Sequence, residues 1–81
     1  MPAQAKDADP ALGVVLRRLR EERGQTLEGL GQNQKVRLTA GSLSMIELAQ
    51  ADPGWGKVMR IIDGLDVSLI ELAEAVERER G

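Results

Sequence analysis

Punctuation is what most constrains this chain. Three isolated helix-start residues, Thr26, Thr39 and Ser68, one Asp9-Pro10 pair and one Asp52-Pro53-Gly54 break recur along its 81 residues. Asp, Thr and Ser side chains accept hydrogen bonds from the free N–H groups of a first helical turn, and a proline at the first position forfeits no bond. The pieces between these signals have room for three turns or so of helix each. An 81-residue chain cut this way predicts several short helices packed on one another as one domain.

The apolar residues fall in step with the punctuation. Leu12, Val15, Leu16 and Leu19 repeat at i, i+3, i+4 and i+7, one stripe of a first helix starting near Asp9-Pro10 that Gly24 can end in the left-handed conformation. Thr26 caps a second, short helix through Leu27 and Leu30. Gly29 and Gly31 inside it each cost roughly 1 kcal/mol relative to Ala, so packing must hold it. Thr39 caps a third helix carrying Leu43 and Ile46. Trp55, Val58, Met59, Ile62 and Leu65 repeat the stripe in a fourth, with Gly64 near its end. Ser68 and Glu71 form an S-x-x-E capping box before a fifth, with Leu69, Leu72, Ala73 and Val76; residues Glu77 to Gly81 are expected to fray. No segment alternates with period two, so no strand is predicted. The expected architecture is all-α and five-helical, a single domain over residues 10–79 behind a flexible tail of residues 1–9.

Composition excludes more than it suggests. Cysteine and histidine are absent, which removes disulfides, thiol catalysis, Cys/His zinc sites and the Ser-His-Asp triad together. Adjacent carboxylates such as Glu21 and Glu22 do not face each other on a helix, so no enzyme, metal or cofactor is expected. With no Phe or Tyr, the core must be aliphatic, and Trp55, on the fourth stripe, is expected inside it. No apolar run approaches the roughly 18 to 20 residues of a membrane span, and the first residues lack a signal-peptide core, so the expected location is the cytoplasm. The net charge of −2 averages unlike regions. Residues 10–60 hold eight basic against five acidic side chains, whereas residues 61–81 hold two against six. The first region is mildly basic and the last helix acidic.

The order of these elements resembles a known family. Leu19-Arg20-Glu21-Glu22-Arg23-Gly24, Thr26-Leu27-Glu28-Gly29-Leu30-Gly31, Ser42-Leu43-Ser44-Met45-Ile46-Glu47 and Val67-Ser68-Leu69-Ile70-Glu71-Leu72 resemble the phage-repressor type of helix-turn-helix domain, the Xre/Cro-like family with the lambda-repressor-like fold. The most specific piece runs from Pro53 through Leu65-Asp66-Val67-Ser68-Leu69. The turn between the second and third helices, Gln32 to Leu38, is about two residues longer than the family usually has.

The resemblance implies a compact five-helix DNA-binding domain. Its second and third helices form the helix-turn-helix, and the third lies in the major groove with its N-terminal side chains towards the base edges. It further implies an internal ion pair of Arg20 with Glu47 that locks the first helix to the third. The residues expected at double-stranded DNA are Thr26, Leu27, Lys35, Arg37, Thr39, Ala40, Gly41, Ser42, Ser44, Met45 and Lys57. At the positions matching the family's base readers stand Ala40, Gly41 and Met45, which lack the bidentate donors of direct readout. Ser42 and Ser44 remain as small polar contacts and Ala40 as a partner for a thymine methyl, so readout would lean on these, on Arg37 or on DNA shape. After the third helix, where the family often has Gly and then Lys or Arg, the chain has Leu48-Ala49-Gln50-Ala51-Asp52. Lys35 and Arg37 read equally well as mobile loop charges, and Lys57 as a plain surface lysine.

Leu69, Ile70, Ala73 and Val76 put apolar groups on more than one side of the fifth helix, and family members often pair near this end. They are the expected homodimer interface. The leading expectation is a small homodimeric repressor from a phage, plasmid, toxin-antitoxin or host operon. The competing one is a protein-interaction module that keeps the fold and has lost base readout; exposed Met45 and Leu48 would then face a protein partner.

Overall fold

The structure, a computed structural model of the chain, describes residues 8–81. Five helices follow in order: α1 Pro10–Glu22, α2 Leu27–Gln32, α3 Ala40–Glu47, α4 Gly54–Leu65 and α5 Leu69–Arg80. Four begin at a side-chain cap. Asp9 Oδ1 accepts from Ala11 N at 3.0 Å, Thr26 Oγ1 from Gly29 N at 2.9 Å, Thr39 Oγ1 from Ser42 N at 3.0 Å and Ser68 Oγ from Glu71 N at 3.1 Å. In the capping box, the Glu71 carboxylate lies 3.5 Å from the Ser68 hydroxyl. Helix α4 has no side-chain cap at Pro53; Asp52 Oδ1 instead accepts from Gly54 N just ahead of it.

Helix ends are closed by left-handed residues. After α1, Gly24 (φ +66°) allows Gln25 N to donate to Arg20 O and Gly24 N to Glu21 O, which satisfies two of the last free carbonyls. The same pair of bonds closes α3 through Ala49 and α4 through Asp66, both at φ +58°.

The core is aliphatic throughout. Val15 and Leu16 of α1, Leu30 of α2, Leu43 and Ile46 of α3, Val58, Ile61, Ile62 and Leu65 of α4 and Leu72, Ala75 and Val76 of α5 meet in one cluster, joined by Val36 and Val67 from the connections. Helix α1 packs on α3 and α5, α2 on α3 and α4, and α4 on α5.

Four expectations need correcting. Trp55 is 66% exposed, because α4 begins at Gly54 and its first turn projects past the core; Ile61, 1% exposed, fills the stripe instead. Val76, expected at a dimer interface, is buried in the core with Ala75. The C-terminal residues continue α5 to Arg80, where Arg18 reaches Glu79 at 3.0 Å and Arg80 pairs with Glu77 and Asp9. Of the expected tail, residues 1–7 lie outside the described residues, but Ala8 is buried and Asp9 caps α1.

Candidate nucleic-acid interface

The site is built from behind by one guanidinium. Arg20 Nε and Nη2 donate to the two carboxylate oxygens of Glu47 at 2.8 and 3.0 Å, and Nη1 donates to Gln25 O at 2.8 Å. One planar side chain therefore ties α1, the entry to α2 and the end of α3 together. Both partners are nearly buried, with side chains 10% and 6% exposed. The Glu47 carboxylate raises the Arg20 pKa above its ordinary value, outweighing the opposite effect of burial. With Leu43, Ile46 and Glu47 facing inward, the orientation of α3 is set.

Its other side is open. Gly41 and Met45 are exposed, Ala40, Ser42 and Ser44 are half-buried, and Leu48 just beyond is exposed. Leu27, the first residue of α2, lines a shallow hollow of about 250 Å³ with Ser44 and Leu48 of the α3 segment and Arg17 of α1. Thr26 and Thr39 stand at the two helix starts with their hydroxyls engaged as caps. The structure thus brings Leu27 and Ser44 together on two packed helices.

The turn between α2 and α3, residues 33–39, is folded rather than loose. Asn33 organises it: its side-chain Oδ1 accepts from Lys35 N at 2.8 Å, and its backbone carbonyl accepts from Val36 N and Arg37 N at 2.9 and 3.0 Å. Leu38 N donates to Gly31 O at 3.1 Å, so the backbone N–H groups of residues 35–38 all have partners. Val36 is fully buried, and it fits only because Gly64 has no side chain; a Cβ there would lie 2.2 Å from Val36 Cγ2. Gly31 serves in the same way, since a Cβ would meet Leu38 O at 2.1 Å. The glycine that weakens α2 as a helix is the one that lets the turn close on it.

The cations divide into two sets. Arg17, Arg18, Arg20, Arg23, Arg60 and Arg80 bond to carboxylates or carbonyls within the domain. Among the described residues, the Lys35, Arg37, Lys57 and Arg78 side chains have no such partner. Arg37 is exposed two residues before the Thr39 cap, and Lys57 is exposed in the first turn of α4. Lys35 is placed differently. It lines a hollow with Asp63, Asp66 and Glu71, so three carboxylates offset its charge and it is not grouped with the open side of α3.

The sequence profile of the helix-turn-helix domain family matches residues 11–75. The chain belongs to this helix-turn-helix family. The match spans all of α1 to α4 apart from Pro10 and most of α5, and it is consistent with an Xre/Cro-like domain. A helix-turn-helix domain points to a DNA-binding regulator, and domains of this kind are typically not enzymes. Comparison with curated proteins and with solved structures found no match. No helix among the described residues is long and apolar enough to cross a membrane.

Reasoning from sequence missed three residues that border or shape the helix-turn-helix. Arg17 lies off the apolar stripe yet borders the hollow at Leu27 and Ser44, where its exposed 3.4 Å pairing with Glu21 is readily exchanged for another anion. Arg60 shapes the turn through bonds to distant backbone, which no local pattern signals; Asn33 does so mainly through near neighbours, accepting from Lys35 N two residues on, as asparagine commonly does in turns.

Proposed function

We propose that this helix-turn-helix domain is a sequence-specific, homodimeric transcriptional repressor that inserts α3 into the major groove of an inverted-repeat operator. What carries the reading is the two-sidedness of α3: its inner side is clamped by the Arg20–Glu47 fork, and its N-terminal half is left open. To that opening we assign Thr26, Leu27, Arg37, Thr39, Ala40, Gly41, Ser42, Ser44, Met45 and Lys57 as the DNA-contacting residues. Arg37 and Lys57 supply unpaired charge for phosphates, and Lys35, which shares a hollow with Asp63, Asp66 and Glu71, contributes less. Ala40, Gly41, Ser44 and Met45 offer methyl, backbone and hydroxyl contacts, which favours readout of thymine methyls and groove shape over bidentate recognition.

Two copies would place α3 in successive major grooves about 34 Å apart. Pairing through exposed Ile70, Leu69 and Ala73 of α5 supports this arrangement, since a single copy with few free cations binds DNA weakly. The cytoplasm or nucleoid of a bacterium is the setting this implies, with the gene carried by host, plasmid or phage. In a fluorescence anisotropy titration at low salt, one duplex selected from a random pool should bind more tightly than mixed-sequence DNA. Absence of any binding at about 50 mM salt and tens of micromolar protein, conditions that favour phosphate contacts, would refute the reading.

A second reading has a specific observation behind it. Met45 and Leu48 are 45% and 55% exposed beside Ala40 and Gly41, an apolar surface suited to a protein partner. Amide NMR shifts on adding DNA separate the two. Perturbations clustered on residues 37–45 favour the repressor; silence there, with a partner protein shifting the same residues, favours the interaction module.

A further inference from the structure

We propose that Arg60 is a positioning residue for DNA binding: from α4 it fixes the turn between α2 and α3 so that Arg37 is presented to a phosphate. The inference rests on the DNA-binding reading above. Arg60 Nε and Nη2 donate to Val36 O at 2.9 and 2.7 Å, and Nη2 also donates to Arg37 O at 2.9 Å. One guanidinium thus grips two consecutive carbonyls, a geometry that its planar fork suits and an ammonium does not.

The residue it grips is strained. Arg37 has φ +55°, a left-handed conformation that is unfavourable for a residue with a Cβ. Asn and Gly fit that conformation better, yet the position holds a long cation whose side chain is exposed and without a partner among the described residues. Every constraint on the turn acts on backbone or on Val36: the Asn33 bonds, the Gly31–Leu38 bond, the Gly64 contact and the Arg60 fork. Among the described residues nothing engages the Arg37 guanidinium. A turn held this firmly, with an unpaired charge three residues before the start of α3, is organised to deliver that charge to something outside the molecule. Arg60 is the only member of this set that reaches from α4 to the Arg37 carbonyl, so the aim of Arg37 depends on it.

The test is the salt dependence of binding to a fluorescein-labelled mixed-sequence duplex, which reads phosphate contacts whatever the preferred site. Arg60→Met keeps the length and apolar stem and removes the fork. If Arg37 loses its phosphate, the slope of log K against log salt falls by about 0.9 per protomer. Between about 50 and 500 mM salt the variant then loses roughly eightfold less affinity than the wild type. In an Arg37→Ala background, Arg60→Met should change the slope no further, and in the free variant the amides of residues 36–38 should gain mobility in heteronuclear NOE. Circular dichroism checks that the variant folds; if it does not, Arg60→Lys serves, and a wild-type slope for it overturns the proposal. So does an Arg60→Met protein that binds with wild-type slope, or one that lowers the slope equally when Arg37 is absent, which would make Arg60 itself the contact. A wild type that binds no duplex at all overturns the DNA-binding reading, and this role with it, and is recognised by failure before any variant is made.

Discussion

Arg37 and Ala49 adopt the same uncommon backbone conformation for different reasons, and substitution separates them. Both have positive φ, but Ala49 is buried at the close of α3, whereas Arg37 is exposed in the turn. Glycine relieves the strain at either position, against the greater freedom it gives the unfolded chain and, at Ala49, the loss of a buried methyl. Ala49→Gly is expected to stabilise the domain by about 0.5 kcal/mol, a rise of a few degrees in Tm, and to leave DNA affinity unchanged. Arg37→Gly should match or exceed that rise while weakening DNA binding. Thermal melts and anisotropy on the two variants check this; an Arg37→Gly protein that is less stable and binds DNA as before would contradict both halves. At this scale the sequence was only partly readable. Arg37 was identifiable as a cation ahead of α3, but its left-handed backbone was not, because nothing local to an arginine calls for it.

At the scale of elements, the legible parts are those decided by neighbours in sequence. Asp9, Thr26, Thr39 and Ser68 each announced a helix, and each accepts the expected first-turn N–H, because capping involves residues two or three apart. Trp55 shows the limit. Its spacing puts it on the apolar side of α4, but whether anything covers that side depends on where the other helices end. The packing of Val36 on Gly64 and the reach of Arg60 into the turn are likewise products of tertiary approach. So is Arg23, whose Nε donates to Leu65 O at 2.6 Å and joins the end of α1 to the end of α4. The link between α1 and α3 gives the sharpest test of how elements are held. Arg20→Met leaves the Glu47 carboxylate buried without its partner, which costs about 3 to 5 kcal/mol, a large part of the stability available to a domain of this size. Replacing both residues, Arg20→Met with Glu47→Leu, removes the stranded charge and should recover most of the loss. Urea denaturation of the two variants distinguishes the outcomes; equal losses would mean that the fork itself, and not the stranded carboxylate, dominates.

For the whole molecule, charge and closure are linked. Helix α5 is acidic, with four glutamates against two arginines, and it packs on α1 and α4. The same acidic helix closes the domain: Arg18 to Glu79 and Arg80 to Asp9 join the start and middle of α1 to the end of α5. Asp9 thus both caps α1 and binds Arg80. The Arg80 guanidinium, assisted by the N–H groups of Ala11 and Leu12 and opposed by partial burial, holds the Asp9 carboxyl below its ordinary value. A carboxyl lowered in the folded state stabilises the fold fully above its unfolded value, near pH 4, and that contribution is lost as pH falls through the lowered value. Asp9→Asn retains a side-chain oxygen for the cap and removes the charge. The variant should therefore melt below the wild type at neutral pH, with a gap that stays constant down to about pH 4 and closes at more acid values as the wild-type carboxyl takes up its proton. Paired thermal melts from neutral pH to the acid limit measure that gap. If it persists undiminished in strong acid, the stabilisation comes from cap geometry rather than from the ion pair, and α5 is held to α1 mainly by the apolar contacts of Leu72, Ala75 and Val76 within the core.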